Sequence, residues 1–160
     1  MANQTQYAVL HPLTHIDLLS LQPALKLGTN ARSQTTVFDP VRRRFIQATP
    51  EEVVRQLWIV YFLQHLHWNP KLIAVEREIS VHGLRRRFDM VIYDRGTSPV
   101  LLAEFKAPDV SLGQLVFDQV ARYNMQLHVP YALVSNGSYH YCFQIDADKE
   151  AFVFLDKLPF

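Results

Sequence analysis

Residues 85–106, RRRFDMVIYDRGTSPVLLAEFK, decide the reading of this chain. RRRFDMVIYD and PVLLAEFKA have the β-branched and aromatic content of strands, and DRGTSP between them has turn chemistry. If the two strands pair antiparallel about a centre between Gly96 and Thr97, opposite residues have numbers that sum to 193, as 89 and 104 do. Asp89 and Glu104 then face each other on one side of the ladder, with Cβ atoms about 4.5 to 5.5 Å apart. Like charges at that separation repel unless a cation lies between them. Lys106, two residues beyond Glu104, points to the same side. The opposite side, through Phe88, Met90, Ile92, Leu101, Ala103 and Phe105, is apolar and is expected to be the packed one.

Two carboxylates and a lysine at matched positions suit a hard divalent cation, which takes oxygen ligands and completes its shell with water. Such a cation lowers the pKa of a bound water and neutralises charge building on a phosphoryl group, while Lys106 orients that water or holds its hydroxide form. The plainer alternative is an ion pair between Asp89 and Lys106 with Glu104 as a bystander. The spacing alone is compatible with both.

Outward from this hairpin, LIAVEREISV (72–81) is expected to be the strand before it. Upstream of that strand, Thr49 can cap a helix, Pro50 suits its first position, and Glu52 completes a capping box. The helix should run to about His67, burying Val53, Leu57, Val60, Tyr61 and Trp68. Downstream, residues 111–129 form a second helix with the stripe Leu112, Val116, Gln119, Val120, Tyr123 and Leu127. Gln119 and Tyr123 fall on that apolar stripe, where a glutamine needs a partner. PYALVSN (130–136), SYHYCFQID (138–146) and EAFVFLDKL (150–158) read as strands. VFDPVRRRFIQA (37–48) reads as a hairpin about Asp39-Pro40. The fold class is therefore α/β, with helices packed on a mixed central sheet in the order helix, three-strand meander, helix, strand. Residues 1–36 are left as an unassigned N-terminal extension, with a weak apolar cluster at Ile16–Leu21. Residues 37–160 are taken as the domain.

A chain of 160 residues that is 49% apolar can build one packed core and has little room for two. Its net charge of +1 does not mark a nucleic-acid binder in bulk, so the local charge matters more. Arg42, Arg43 and Arg44 form one basic run and Arg85, Arg86 and Arg87 another, while acids gather at Glu51, Glu52, Asp89, Asp94 and Glu104. That mixture suits a phosphate-handling surface with a metal site; solvated strand ends are the alternative for either run. No apolar run is long enough for a membrane span and no signal peptide is evident, so a cytoplasmic protein is expected. Cys142, the single cysteine, reads as a small buried hydrophobe. The histidines, among them His11, His15, His65, His67, His82, His128 and His140, lack zinc-ligand spacing on an assignable element. No glycine begins a P-loop, so no ATP site is expected in this chain, and no GxSxG element is present.

The series Arg87-x-Asp89, Glu104-Phe105-Lys106 and Gln119-x-x-x-Tyr123 resembles the PD-(D/E)XK nuclease superfamily, in particular the N-terminal nuclease domain of type I restriction enzyme R subunits in a stand-alone form. FDPVRRRFIQATPEEVVRQ (38–56) and VFDQVARYN (116–124) resemble the same family, and the likeness covers about residues 37–145. The resemblance implies a restriction-endonuclease-like core and a Mg²⁺-dependent DNA endonuclease, with Mn²⁺ possible in place of Mg²⁺. By it, Asp89, Glu104 and the Phe105 backbone carbonyl would bind the metal and Lys106 would serve the attacking water. Gln119 and Tyr123 would support the site, and Glu52 or Glu51 would add a helix-one carboxylate. Arg85, Arg86 and Arg87, with Arg42 to Arg44 as a further candidate run, would hold the DNA backbone. Phe88 stands where the family pattern has proline. A separate motor or specificity subunit would be the partner. The alternatives are a non-catalytic DNA-binding or assembly module that has kept the fold, and an RNA-processing nuclease of the same chemistry.

Overall fold

The structure, a computed structural model, describes residues 12–146 and 151–160. It is mixed α/β, as expected. The central sheet has six strands in the order β11-β10-β9-β8-β7-β4. These are β4 (Ile73–Val75), β7 (Met90–Tyr93), β8 (Pro99–Phe105), β9 (Tyr131–Ser135), β10 (His140–Asp146) and β11 (Ala151–Leu155). All neighbours are antiparallel except β8 and β9, which α2 (Gln114–Leu127) connects as a parallel pair. A parallel pair needs such a crossover because a tight turn can only reverse the chain.

The hairpin register is the one the turn predicted: Met90 pairs with Ala103, Val91 with Leu102 and Ile92 with Leu101. The pairing shifts only beside the turn, between Ile92 and Tyr93. The long strands expected before it do not run straight. LIAVEREISV divides into β4 and β5 (Glu78–Val81), and RRRFDMVIYD divides into β6 (Leu84–Arg87) and β7. β5 and β6 form a separate two-stranded ribbon closed by His82 and Gly83, whose φ values of +50° and +75° suit a two-residue hairpin turn. The bend falls at Glu76, held at φ +49°, opposite Phe88-Asp89. Backbone bonds from Glu76 N to the Asp89 carbonyl (3.0 Å) and from Phe88 N to the Arg77 carbonyl (3.3 Å) carry the ladder through it.

Both faces of the sheet are packed, which corrects the expectation of one packed side. Met90, Ile92, Leu101, Ala103 and Phe105 join α1 (Pro50–Val60) in one core, with Val54, Leu57 and Trp58. Phe88, Val91 and Leu102 instead meet α2 through Val116, Phe117, Val120 and Tyr123. The first helix is α-helical to Val60 and continues as a π-helical turn over Tyr61–His65, short of His67. Its buried set is wider than one stripe, since every residue from Val54 to Val60 is buried. The reason is a second layer: a 3-10 helix at Leu18–Ala24 and β2 (Thr35–Asp39) cover the helix, β2 being the middle strand of a sheet with β1 (Leu27–Thr29) and β3 (Arg44–Gln47). Leu13, Ile16 and Leu18, from the segment left unassigned, belong to the α1 core.

Candidate active site

Asp89 lies where the chain bends out of the central sheet, and Glu104 lies one step before the end of β8. The Phe105 N–H donates to Asp89 Oδ2 at 2.7 Å, so the Asp89 carboxylate leans across the ladder onto the peptide that follows Glu104. Lys106 Nζ donates to Glu104 Oε1 at 2.9 Å, as their common side of the strand requires. Gln119 Nε2 also donates to Glu104 Oε1, and to the Tyr123 hydroxyl at 3.3 Å. Tyr123 in turn donates to the Arg87 carbonyl at 3.0 Å. The glutamine on the apolar stripe thus has its partner, and α2 is tied to both site strands. Asp89, Glu104, Lys106, Gln119 and Tyr123 are brought together.

Glu104 is 2% exposed, and its Oε2 is buried without a hydrogen-bond partner. Burial first, and the charge of Asp89 second, push its carboxyl up to about 8, against the opposing pull of Lys106. Burial alone would lower Lys106, but Glu104 and then Asp89 more than offset this and hold its ammonium above the ordinary value. Lys106 is therefore a hydrogen-bond donor at neutral pH rather than a proton acceptor. Two carboxylates, one with an orphaned oxygen, are a donor set that fits a hard cation with water completing the shell. Among the described residues, no group of three or more His, Cys, Asp or Glu side chains is placed to hold a metal by itself.

The two helix-one glutamates part company. The Thr49 hydroxyl accepts from the Glu52 N–H at 3.2 Å, but Thr49's own N–H goes to the Gln47 carbonyl at 2.9 Å, so the reciprocal half of the capping box is not made. The Glu52 carboxylate instead takes Arg42 at 2.6 Å, Gln56 at 2.9 Å and Arg55. Glu51, its side chain 44% exposed, is the one in the field of the site. Burial and then Asp89 push its carboxyl up, and Lys106 pulls it down.

Pattern reading missed the charge network behind these residues. Arg55, 2% exposed, donates to Glu52 and, at 3.0 Å, to Asp89 Oδ1. Arg42 bridges Asp39, Glu52 and Glu76, and Gln56 bonds the fully buried Asp39 at 3.0 Å. The signal was present in VVRQLWIV (53–60), where Arg55 and Gln56 interrupt an apolar run. Arg42 is thereby occupied inside the protein, whereas Arg43 and Arg44 are exposed. Arg85, Arg86 and Arg87 are all exposed, Arg85 lying 3.7 Å from Glu78 and Arg87 3.5 Å from Glu76. Of the histidines, His65 stacks on Tyr61, buried His140 bonds the Ser135 hydroxyl at 2.8 Å, and His11 lies outside the described residues.

The mixed α/β core, with helices on a mixed multi-strand sheet, is consistent with a restriction-endonuclease-like domain. The family described as type I restriction enzyme R protein N terminus matches residues 50–159, and the chain belongs to it. No curated protein matches the chain. Among the described residues, no helix is long and apolar enough to cross a membrane.

Proposed function

We propose that the chain is a Mg²⁺-dependent DNA endonuclease of the PD-(D/E)XK type, hydrolysing phosphodiester bonds with a metal-activated water. The observation that carries the reading is the buried Glu104 carboxylate, with one oxygen orphaned and the other shared by Lys106 and Gln119. Leaving such an atom unpaired costs about 1 to 3 kcal/mol, a cost a bound cation would remove. Asp89, Glu104 and the Phe105 carbonyl would hold the metal, Mn²⁺ substituting for Mg²⁺. When bound, the cation supplies a water of lowered pKa and neutralises charge on the phosphoryl oxygens.

The chain's own residues do the rest. Arg55 and the Phe105 N–H fix the Asp89 carboxylate from two sides. Lys106, protonated and tethered to Glu104, donates a hydrogen bond to the attacking oxygen and stabilises it as hydroxide. Gln119 and Tyr123 hold Glu104 and the β6 end in one geometry. Glu51, half-exposed and 3.6 Å from Arg55, rather than the fully engaged Glu52, is the helix-one carboxylate that would bond a metal-bound water. The exposed arginines of β6 meet the DNA backbone, and a separate motor or specificity subunit would bring the substrate.

One observation favours a non-catalytic DNA-binding or assembly module: Arg55 already gives Asp89 an internal counter-charge. Calorimetric titration with Mg²⁺ and Mn²⁺, with plasmid nicking on the same samples, separates the two. Wild type should bind and nick, and Asp89→Asn should do neither while remaining folded. Wild type that binds no metal with DNA present would sink the nuclease reading.

A further inference from the structure

The ribbon and α2 enclose a cleft of about 540 Å³ that opens beside the site, lined by Val81, His82, Leu84, Arg86, Gln119, Arg122 and Tyr123. Alternation along the ribbon sorts the arginine run between its two sides. Arg86 pairs with Ile79 and Leu84 with Val81, and Ile79 and Val81 pack into the core that α2 shares. Arg86 is therefore on the cleft side. Arg85 and Arg87, opposite Ser80 and Glu78, are on the other side, where each has an acidic neighbour. Arg122 reaches the same cleft from α2, one residue before Tyr123. Among the described residues neither Arg86 nor Arg122 has an acid in ion-pair range, and both are exposed. The cleft floor is Gln119 and Tyr123, the pair that holds Glu104. Leu84, 57% exposed, adds an apolar rim.

We propose that this cleft is the track for the DNA strand to be cut, with Arg86 and Arg122 as a two-sided clamp on the phosphates flanking the scissile one and Leu84 against a sugar or base. Two unpaired guanidiniums from different elements, facing one groove, form a fork geometry suited to phosphate oxygens. The assignment rests on the nuclease reading for its direction, because the groove leads to Glu104 through Gln119. It adds Arg122 to the DNA contacts and separates Arg86 from its two neighbours.

The test is fluorescence anisotropy of a labelled DNA duplex with the full chain in Ca²⁺, across a potassium chloride series, with Mg²⁺ cleavage measured in parallel. Arg86→Ala and Arg122→Ala should each flatten the slope of log affinity against log salt by about 0.9, which is roughly eightfold weaker binding near 0.1 M salt. Arg85→Ala should change it less. Binding by wild type with unchanged slopes in both variants would overturn the clamp and leave the nuclease reading standing. The expected slopes without any cleavage by wild type would leave Arg86 and Arg122 as phosphate contacts but overturn both the nuclease reading and the cleft as the track of a strand to be cut. Wild type that binds no DNA would overturn the clamp.

Discussion

Replacing Glu104 by glutamine exposes two buried titrations that oppose each other. In the metal-free protein the Glu104 carboxyl is pushed up from 4.5 to about 8, first by burial and then by Asp89, while burial pushes the His140 imidazole down from 6.5 to about 4. An acid with a raised folded pKa keeps a proton that the unfolded chain has released, so its contribution to stability falls as pH rises from 4.5 towards 8. A base with a depressed folded pKa costs stability as pH falls from 6.5 towards 4. From pH 4.5 to 6.5 the two slopes oppose each other, and above 6.5 His140 no longer contributes and Glu104 is the main group acting, with half-exposed Glu51, also raised, adding in the same direction. At 1.36 kcal/mol per unit, the climb to pH 8 removes about 2 kcal/mol, or about 4 to 8 °C in Tm for a chain of this size. Glu104→Gln keeps an acceptor for Lys106 and Gln119 but does not titrate, so its stability should stay level above pH 6.5. Urea unfolding of both proteins in EDTA across that range is the assay. Adding Mg²⁺ should restore wild type at high pH and leave the variant unchanged. Parallel decline of the two proteins above pH 6.5 would refute the argument that a buried charge at Glu104 is the cause.

Arg55→Met should destabilise the fold by about 3 to 5 kcal/mol, because it takes the guanidinium away from Asp89, which keeps only the Phe105 N–H, and leaves Glu52 to Arg42 and Gln56 alone. Arg55→Lys should recover only part, one ammonium being unable to span both acids; a urea midpoint equal to wild type for Arg55→Met would contradict this. Cys142 is fully buried and burial pushes its thiol up to about 12, so Ellman's reagent should label it only as the protein unfolds. Native-state labelling at the rate of a free thiol would show that the core opens locally.

The parts that could be read from sequence were those set by local rules. The Gly96-Thr97 turn and period-2 alternation placed Asp89 beside Glu104, and a glutamine on an apolar helix stripe announced a polar partner. The parts that escaped depend on distant contacts. Nothing local marks Glu76 as a left-handed residue, so the bend that separates the β5–β6 ribbon from the central sheet was invisible. The width of the buried face on α1 reflects the 3-10 helix and β2 that cover it. Glu51 and Glu52 could not be told apart by capping pattern, although adjacent helical residues point about 100° apart and meet different neighbours.

The same network explains how an acidic site can be built into a packed sheet end at all. Arg55 and a backbone N–H together fix Asp89, and Arg42, Gln56 and Arg55 satisfy Glu52, so those carboxylates are oriented before any cation arrives. Among the described residues Glu104 has no guanidinium beside it, only Lys106 and an amide, and one of its oxygens has no partner. The electrostatic cost of the site is thereby concentrated on one group, whose carboxyl is pushed up towards its protonated form, first by burial and then by Asp89. A divalent cation, on the function proposed above, would displace the Glu104 proton, so its affinity would rise with pH until Glu104 is ionised, and below that point protons would compete directly with the metal. Pairing Glu104 with an internal arginine would remove that competition, but it would also fill the position a cation needs.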